Sequence, residues 1–249
     1  HITSIEYGDG LDLIKAAIKV MAPNFGFDIE LYAEFDPGTG LGGSSAVVLS
    51  VLGGLNYFRN EKQLDKYQLA DLAYQVERID LNMSGGWQDQ YANVFGGFNW
   101  ILFREKDILV TPIRINSDTL LELEYNLMLF RIGKQRSSSE IQKKHIDSIS
   151  NNKLELETLD KMKNQAVKIK EVLLKGELKK FGDLLHESWI LKKKINKNVT
   201  NSYIEDCYNT AKKNGALGGK LLGAGGGGYL LLYCSPRFQD IVKEKLEKK

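Results

Sequence analysis

Nothing limits the folds open to this chain as much as the placement of its glycines. Residues 38–43 read Gly-Thr-Gly-Leu-Gly-Gly and run directly into Ser44 and Ser45, and residues 223–228 read Gly-Ala-Gly-Gly-Gly-Gly. Scattered glycine marks turns, whereas clustered glycine marks backbone that must come close to something else. Upstream of the first cluster, Ile29, Leu31, Ala33 and Phe35 alternate with Asp28, Glu30, Tyr32, Glu34 and Asp36. A period of two predicts a strand over residues 28–36 with one buried face. Pro37 ends it. The apolar run at residues 46–58 predicts a buried helix, and Ser44 or Ser45 can cap its start. A strand, a glycine loop and a helix start make an anion site, because first-turn N–H groups lack intrahelical partners and the helix dipole favours negative charge there. Gly38, Gly40, Gly42 and Gly43, with Leu41 between them, exceed what a plain turn needs. They predict backbone wrapped around phosphate oxygens.

The type of loop can be narrowed. No lysine follows Gly43, so the Walker A pattern fails. Gly38-x-Gly40-x-x-Gly43 satisfies the dinucleotide fingerprint, but a dinucleotide fold rests on a strand buried on both faces. Asp28, Glu30, Glu34 and Asp36 argue for an antiparallel, half-solvated strand and against a dinucleotide oxidoreductase.

Composition removes other classes. The 249 residues suit one large domain or two small ones, and 43% hydrophobic with 27% charged residues excludes disorder as the main state. A net charge of +2 does not mark a general nucleic-acid binder. No apolar run approaches the roughly 20 residues of a membrane span. Cys207 and Cys234 are too few for a disulfide framework, so a reducing cytoplasm is the default expectation. His1, His145 and His186 share no metal-ligand spacing. The sequence opens on His1, and no signal-peptide pattern follows it.

Periodicity predicts helices at residues 11–21 and 65–79, a hairpin at 98–103 and 108–113, and a strand at 121–132. A lysine-rich helical stretch is expected from 139 to about 198, then a helix at 202–214. Lys220-Leu221-Leu222, the second glycine cluster and residues 229–234 read as strand, turn, strand, and a helix from Phe238 closes the chain. The texture shifts near residues 116–120, which divides the chain at 1–117 and 118–249. The expected class is α+β.

Two acidic residues stand out. Glu77 lies on the helix predicted at residues 65–79, and Asp89 lies in Gly86-Trp87-Gln88-Asp89-Gln90. Glu77 alone reads as a solvated helix charge. Asp89 lies among Trp87, Tyr91 and Phe95, where a carboxylate needs a partner or a purpose.

Residues 37–46, Pro-Gly-Thr-Gly-Leu-Gly-Gly-Ser-Ser-Ala, resemble the central motif of the GHMP small-molecule kinases, P-x-x-x-G-L-x-S-S-A, with one extra residue between Leu41 and the serines. Gly86-Trp87-Gln88-Asp89-Gln90 is similar to the G-I-M-D-Q motif of galactokinase-like members, which a Glu precedes by the same distance as Glu77. Leu222-Gly223-Ala224-Gly225-Gly226-Gly227-Gly228 resembles the third motif, K-x-x-G-A-G-x-G-G. With Phe95-Gly96-Gly97-Phe98-Asn99, the chain looks most like the D-glycero-D-manno-heptose 7-phosphate kinases, and the L-fucokinase branch, which shares Gly-Trp-Gln-Asp-Gln, is the nearest rival.

The resemblance implies two domains, part of a ribosomal-S5-like domain and then a ferredoxin-like one. It implies ATP and Mg²⁺ as cofactors, and a sugar phosphate, phosphorylated on its anomeric hydroxyl, as partner. Carried over, Asp89 takes the proton of the attacking hydroxyl and Ser45 and Glu77 hold Mg²⁺. Gly38, Gly40, Leu41, Gly42, Gly43, Ser44 and Ser45 hold the triphosphate, while Gly225, Gly226 and Gly227 shape the substrate pocket. Lys134 and Arg136 precede a predicted helix start, where basic residues do nothing for the dipole. Arg136 is therefore expected to contact the substrate's distal phosphate. The family's N-terminal motif, K-A-P-x-R-x-x-x-x-G-x-x-T-D, has no counterpart in these residues, and a polypeptide of these residues alone is expected to be inactive. A galactokinase-like sugar 1-kinase and a non-catalytic nucleotide- or sugar-phosphate-binding relative remain alternatives. The sequence leaves the oligomeric state open.

Overall fold

The structure, a computed structural model, describes residues 5–34, 38–133 and 153–249. Contacts divide the chain into two compact units: His1–Pro37 with Gly42–Pro112, and Gly38–Leu41 with Ile113–Lys249. Four residues of the first glycine loop thus group with the second unit, while the serines after them belong to the first.

The first unit is built on helices α1 (Asp12–Met21), α2 (Gly43–Tyr57), α3 (Lys66–Tyr74) and α4 (Gln88–Phe95), with a hairpin of β1 (Asn99–Phe103) and β2 (Ile108–Pro112). Ala16 and Ala17 of α1 meet Val48, Val51, Leu52 and Leu55 of α2, and Ala73 and Val76 from the α3 region complete that core. Small residues on α1 let the two helices approach closely. A second cluster joins Ala70, Tyr91 and Val110 to Tyr67, Trp87, Phe95 and Ile101. It holds α4 against the hairpin, which pairs antiparallel from Asn99↔Pro112 to Phe103↔Ile108. Asp65 starts α3 with a capping box, its side chain accepting from the Gln68 N–H while Gln68 answers at the Asp65 N–H. At its other end α3 widens into a π-type turn over Gln75–Asp80.

The second unit contains α5 (Ser117–Asn126), β3 (Leu127–Ile132), α6 (Lys153–Leu174), α7 (Leu178–Ile195), α8 (Ser202–Lys213), β4 (Ala216–Leu221), β5 (Gly228–Cys234) and α9 (Pro236–Glu247). Its antiparallel sheet has the order β3-β5-β4. One core gathers Trp189, Ile204, Tyr208, Leu221, Leu230 and Leu232. Each large side chain buried there contributes roughly 1.5–3 kcal/mol. The other face of the sheet packs Tyr233 with Leu123, Leu173, Phe181 and Leu185. Helix α7 lies so close to β4 that a Cβ on Gly218 would come 1.9 Å from the Gly182 oxygen. Among the described residues no helix is long and apolar enough to cross a membrane.

Three expectations are corrected. Residues 28–34 form no strand, and Ile29 and Leu31 remain 37% and 39% exposed. An alternating pattern buries a face only when another strand pairs with it, and no described strand does. The strand argument against a dinucleotide site lapses with it. Residues 121–132 are not one strand: α5 runs to Asn126 and β3 begins at Leu127. The Asn116 side chain caps α5 by accepting from the Asp118 N–H, and a helical reading of the leucines at 120, 121 and 123 then prevails. Ser44 and Ser45 do not cap α2. They lie inside its first turn, and Gly42 at the cap position offers no side chain.

Candidate active site

The most polar buried point of the first unit is Glu77, whose side chain is fully buried. Ser44 Oγ donates to its Oε1 (2.6 Å) and Ser45 Oγ to its Oε2 (2.6 Å). Gln90 Nε2 donates to Oε2 as a third partner. The Arg78 guanidinium stands 4.0 Å away. Local structure explains the convergence. The π-type turn rotates Glu77 out of the α3 register, and such widened turns recur at functional sites. Gln90 lies in the first turn of α4, and the serines lie in the first turn of α2.

The serine hydroxyls therefore point at a carboxylate rather than at their own helix end. The first-turn N–H groups of α2 are left uncapped, which is the condition for anion binding at a helix start. The loop before it is tied to α4, since Asn93 Nδ2 donates to both the Gly42 oxygen (3.3 Å) and the Asp89 oxygen (2.8 Å).

Asp89 is half-buried in the first turn of α4. Burial raises its pKa above the ordinary carboxylate value, the Glu77 charge adds to the rise, and the Arg78 charge opposes it. Arg78 is held by the turn that leads to Asp89, with Nε donating to the Gly86 oxygen (3.3 Å). A Cβ on Gly85 would lie 2.7 Å from the guanidinium carbon, so a side chain there would push Arg78 aside. Beneath the turn, Trp87 stacks on Tyr74 with ring centroids 3.4 Å apart. Tyr91 Oη donates to Asp71 (2.6 Å).

Ser45 Oγ and the Glu77 carboxylate are hard oxygen ligands already in contact, and the buried Oε1 of Gln90 has no hydrogen-bond partner. This donor set fits Mg²⁺, which takes one or two protein oxygens and fills its other positions with water and phosphate. Among the described residues no group of three or more His, Cys, Asp or Glu could hold a metal.

In the second unit the two glycine loops touch. A Cβ on Gly223 would lie 2.4 Å from Gly40 Cα, and a Cβ on Gly40 would lie 2.9 Å from the Leu222 oxygen. Both glycines have positive φ, +79° at Gly40 and +62° at Gly223, so geometry and space alike demand glycine. Of the three glycines expected at the substrate, Gly225 and Gly226 press on Val199, with the Gly226 N–H donating to the Val199 oxygen (2.9 Å). Gly227 follows them into β5. Arg136 and Lys134 lie outside the described residues.

The structure thus brings together Ser44, Ser45 and Glu77, and sets Asp89 beside them through Gln90. Sequence reasoning missed Gln90, although its motif was quoted, and Arg78, which follows Glu77 directly. It also gave no role to Lys192, which falls in the lysine-rich helical stretch expected from 139 to about 198. Lys192 Nζ donates to the Gly223 (2.6 Å) and Leu221 (3.1 Å) oxygens.

The chain is similar in sequence and fold to known proteins. Residues 12–97 match the GHMP kinases N terminal domain and residues 169–249 the GHMP kinases C terminal domain. The D-glycero-alpha-D-manno-heptose 7-phosphate kinase of Campylobacter jejuni is 35% identical over 91% of this chain and 68% of its own length. The L-fucokinase/L-fucose-1-P guanylyltransferase of Bacteroides fragilis is 32% identical over 87% of this chain, which spans only 23% of that protein. A solved D-glycero-D-manno-heptose 1-phosphate kinase from Bacteroides thetaiotaomicron superposes with a TM-score of 0.72 and 28% identity, covering 99% of this chain and 71% of that one. With both domains matched and a relative aligned over most of its length, the chain belongs to the GHMP kinase family of phosphotransferases.

Proposed function

We propose that this chain transfers the γ-phosphoryl group of ATP to the anomeric hydroxyl of a sugar that already carries a phosphate. D-glycero-D-manno-heptose 7-phosphate is the proposed substrate and the 1,7-bisphosphate the product. One observation carries the reading: Ser44 and Ser45 leave the α2 N-terminus uncapped to bind Glu77, and the third donor to that carboxylate, Gln90, adjoins Asp89. Phosphate-binding N–H groups and a poised carboxylate thus share one hydrogen-bonded frame.

In this reading Asp89 takes the proton of the sugar hydroxyl as its oxygen bonds to the γ-phosphorus. The bond from that phosphorus to the β–γ bridging oxygen breaks, and ADP leaves. Positioning and charge stabilisation do most of the work in such transfers. Ser45 and Glu77 would hold Mg²⁺, which when bound neutralises phosphate charge. Arg136 is the proposed contact of the distal phosphate. The units are read as the ribosomal-S5-like and ferredoxin-like domains of the family, and the enzyme as cytoplasmic, which two buried, unpaired cysteines support.

The fucokinase similarity favours a second reading, a sugar 1-kinase acting on an unphosphorylated sugar. ADP release measured with the heptose 7-phosphate, L-fucose and galactose separates the two. Turnover confined to L-fucose or galactose would select the second reading, and binding without ADP release would leave a non-catalytic relative. Asp89→Asn is expected to lower turnover by about 10²–10⁴-fold. Full activity in that variant would remove Asp89 from the mechanism.

A further inference from the structure

Helix α7 is fastened to β4 at three places along its length. Near its start the Gly182 carbonyl lies against Gly218, where a Cβ would come 1.9 Å from the oxygen and 2.9 Å from the His186 nitrogen. At its end Lys192 Nζ donates to the Leu221 (3.1 Å) and Gly223 (2.6 Å) oxygens. Between them, His186 Nδ1 lies 2.7 Å from the hydroxyl of Tyr208 on α8, and the two rings stack with planes 7° apart. That hydroxyl is in turn hydrogen-bonded to the Gly219 main chain of β4. Positions 182, 186, 189 and 192 are spaced by four and three residues, so they share one face of the helix. Trp189 on that face is fully buried in the core that holds Tyr208 and Leu221.

The direction of the middle bond follows from counting protons. Tyr208 is 2% exposed, and burial drives its pKa well above the ordinary tyrosine value, so the hydroxyl keeps its proton. The Gly219 bond acts in the opposite sense and lowers that pKa, which marks it as a bond donated to the oxygen by the Gly219 N–H. The hydroxyl proton then needs an acceptor, and His186 Nδ1 is the one in reach among the described residues. His186 is therefore neutral, with its own proton on Nε2. In imidazolium both ring nitrogens donate. Nδ1 would then compete with the Gly219 N–H for the oxygen, and the Tyr208 proton would be buried without an acceptor.

The charges around the ring oppose its protonation on balance. Burial is the largest cause, Lys212 of α8 and Lys193 of α7 add to it, and Glu187 and Asp183 of α7 act against it. From α6, Lys161 and Lys168 line the cleft that His186 borders. Glu205 lies near Tyr208 on α8, but it is already paired with Lys193 (2.8 Å). At this level β4 brings only the main chain of Gly218 and Gly219.

We propose that His186 is a proton-controlled latch on β4. Neutral, it takes the Tyr208 proton and fastens the strand to α7 and α8. Protonated, it releases the hydroxyl and slackens the strand that leads into the Gly223–Gly228 loop. Every bond of the latch lies within the second unit and none involves the residues assigned to phosphoryl transfer, so the latch stands whether or not the kinase reading holds. The folded protein holds the His186 proton less firmly than a free imidazole does, whose pKa is 6.5. Stability from the latch is therefore complete above pH 6.5 and is lost as pH falls from there through the folded midpoint.

Amide hydrogen exchange of the whole chain, followed as protection factors at a series of pH values, tests the latch without any substrate. The Leu222 N–H, bonded to the Tyr229 oxygen (2.9 Å), reports on the end of β4. Its protection is expected to fall below pH 6.5, by at most about tenfold per pH unit, the limit for one proton. The fall should share its midpoint with the His186 ring resonances. His186→Asn puts an amide oxygen in place of Nδ1 and accepts from Tyr208 at every pH, so its protection should match the wild type in alkali and stay level on acidification. Tyr208→Phe removes the donor to Nδ1 and is expected to raise the His186 midpoint. A His186 midpoint at or above 6.5 overturns the latch, and so does a loss of protection in His186→Asn equal to that of the wild type, which is what buried packing alone predicts. If His186→Asn fails to fold, the wild type decides by itself: protection lost at a midpoint other than that of His186 overturns the proposal.

Discussion

The first unit buries a negative charge and the second unit half-buries positive ones, and the two are treated differently. Glu77 is fully enclosed, yet Ser44, Ser45 and Gln90 donate to it and Arg78 stands by. Its charge is satisfied before any ligand arrives. Lys192 has only carbonyl oxygens and Lys220 no partner among the described residues. A satisfied buried ion holds its neighbours in place and costs stability when removed. An unsatisfied one costs stability while present and recovers it when a counter-ion binds. On this basis the Glu77 cradle is a preorganised frame, whereas the lysine pair is kept at a cost to stability.

The strongest way to break the contrast is Glu77→Ala. It strands two hydroxyls and an amide in a closed site, and breaking such a buried set costs about 3–5 kcal/mol. For a chain of this size that lowers the melting temperature on the order of 10 °C. A variant that melts with the wild type would show the cradle to be no frame at all. Asp89→Asn should behave oppositely in stability. The raised pKa of Asp89 means that the folded state holds its proton to higher pH than the unfolded chain. The ionised form thus weakens folding at neutral pH, and its removal is expected to be neutral or slightly stabilising in urea titrations.

A smaller effect sharpens the picture of the touching loops. Gly223 and Gly97 have nearly the same φ, +62° and +67°, but a Cβ on Gly223 meets Gly40 Cα at 2.4 Å while one on Gly97 meets nothing within 4 Å. Both alanine variants pay the left-handed cost of about 1 kcal/mol. Gly223→Ala should lose a further ~1–2 kcal/mol for displacing backbone. Equal losses in denaturant would mean that the contact with Gly40 carries no weight.

How much of this was legible in the sequence differs between the same regions. The glycine loops were readable because left-handed backbone and close approach leave a mark in residue type. The hairpin was readable from period, and its register follows the alternation. The cradle was half readable: Ser45, Glu77 and Asp89 came from motif resemblance, but the bond from Gln90 depends on a π-type turn, which has no simple sequence signal. The lysine pair was not readable. Lys192 and Lys220 lie on a helix and a strand far apart in sequence, and only the packing of α7 on β4 brings their charges near one another. The strand expected at residues 28–36 failed for a related reason: alternation records a capacity to pair, and pairing depends on a neighbour.

The most delicate test concerns Arg78, which joins the cradle to Asp89. Burial and the Glu77 charge raise the Asp89 pKa, and Arg78 holds it down. If ionised Asp89 is the base, activity falls as pH drops through that pKa, and the acid limb of kcat/KM lies above the ordinary aspartate value of 3.8. Arg78→Met removes the opposing charge, so the limb should move to still higher pH. A merely structural role for Arg78, as a clamp on the Gly86 oxygen, predicts a loss of kcat without movement of the limb. Gly85→Ala separates the two roles. Its Cβ would crowd the guanidinium at 2.7 Å and displace the charge without deleting it, so the limb should move the same way by less. A limb that stays fixed in both variants would show that the group titrating in catalysis is not Asp89.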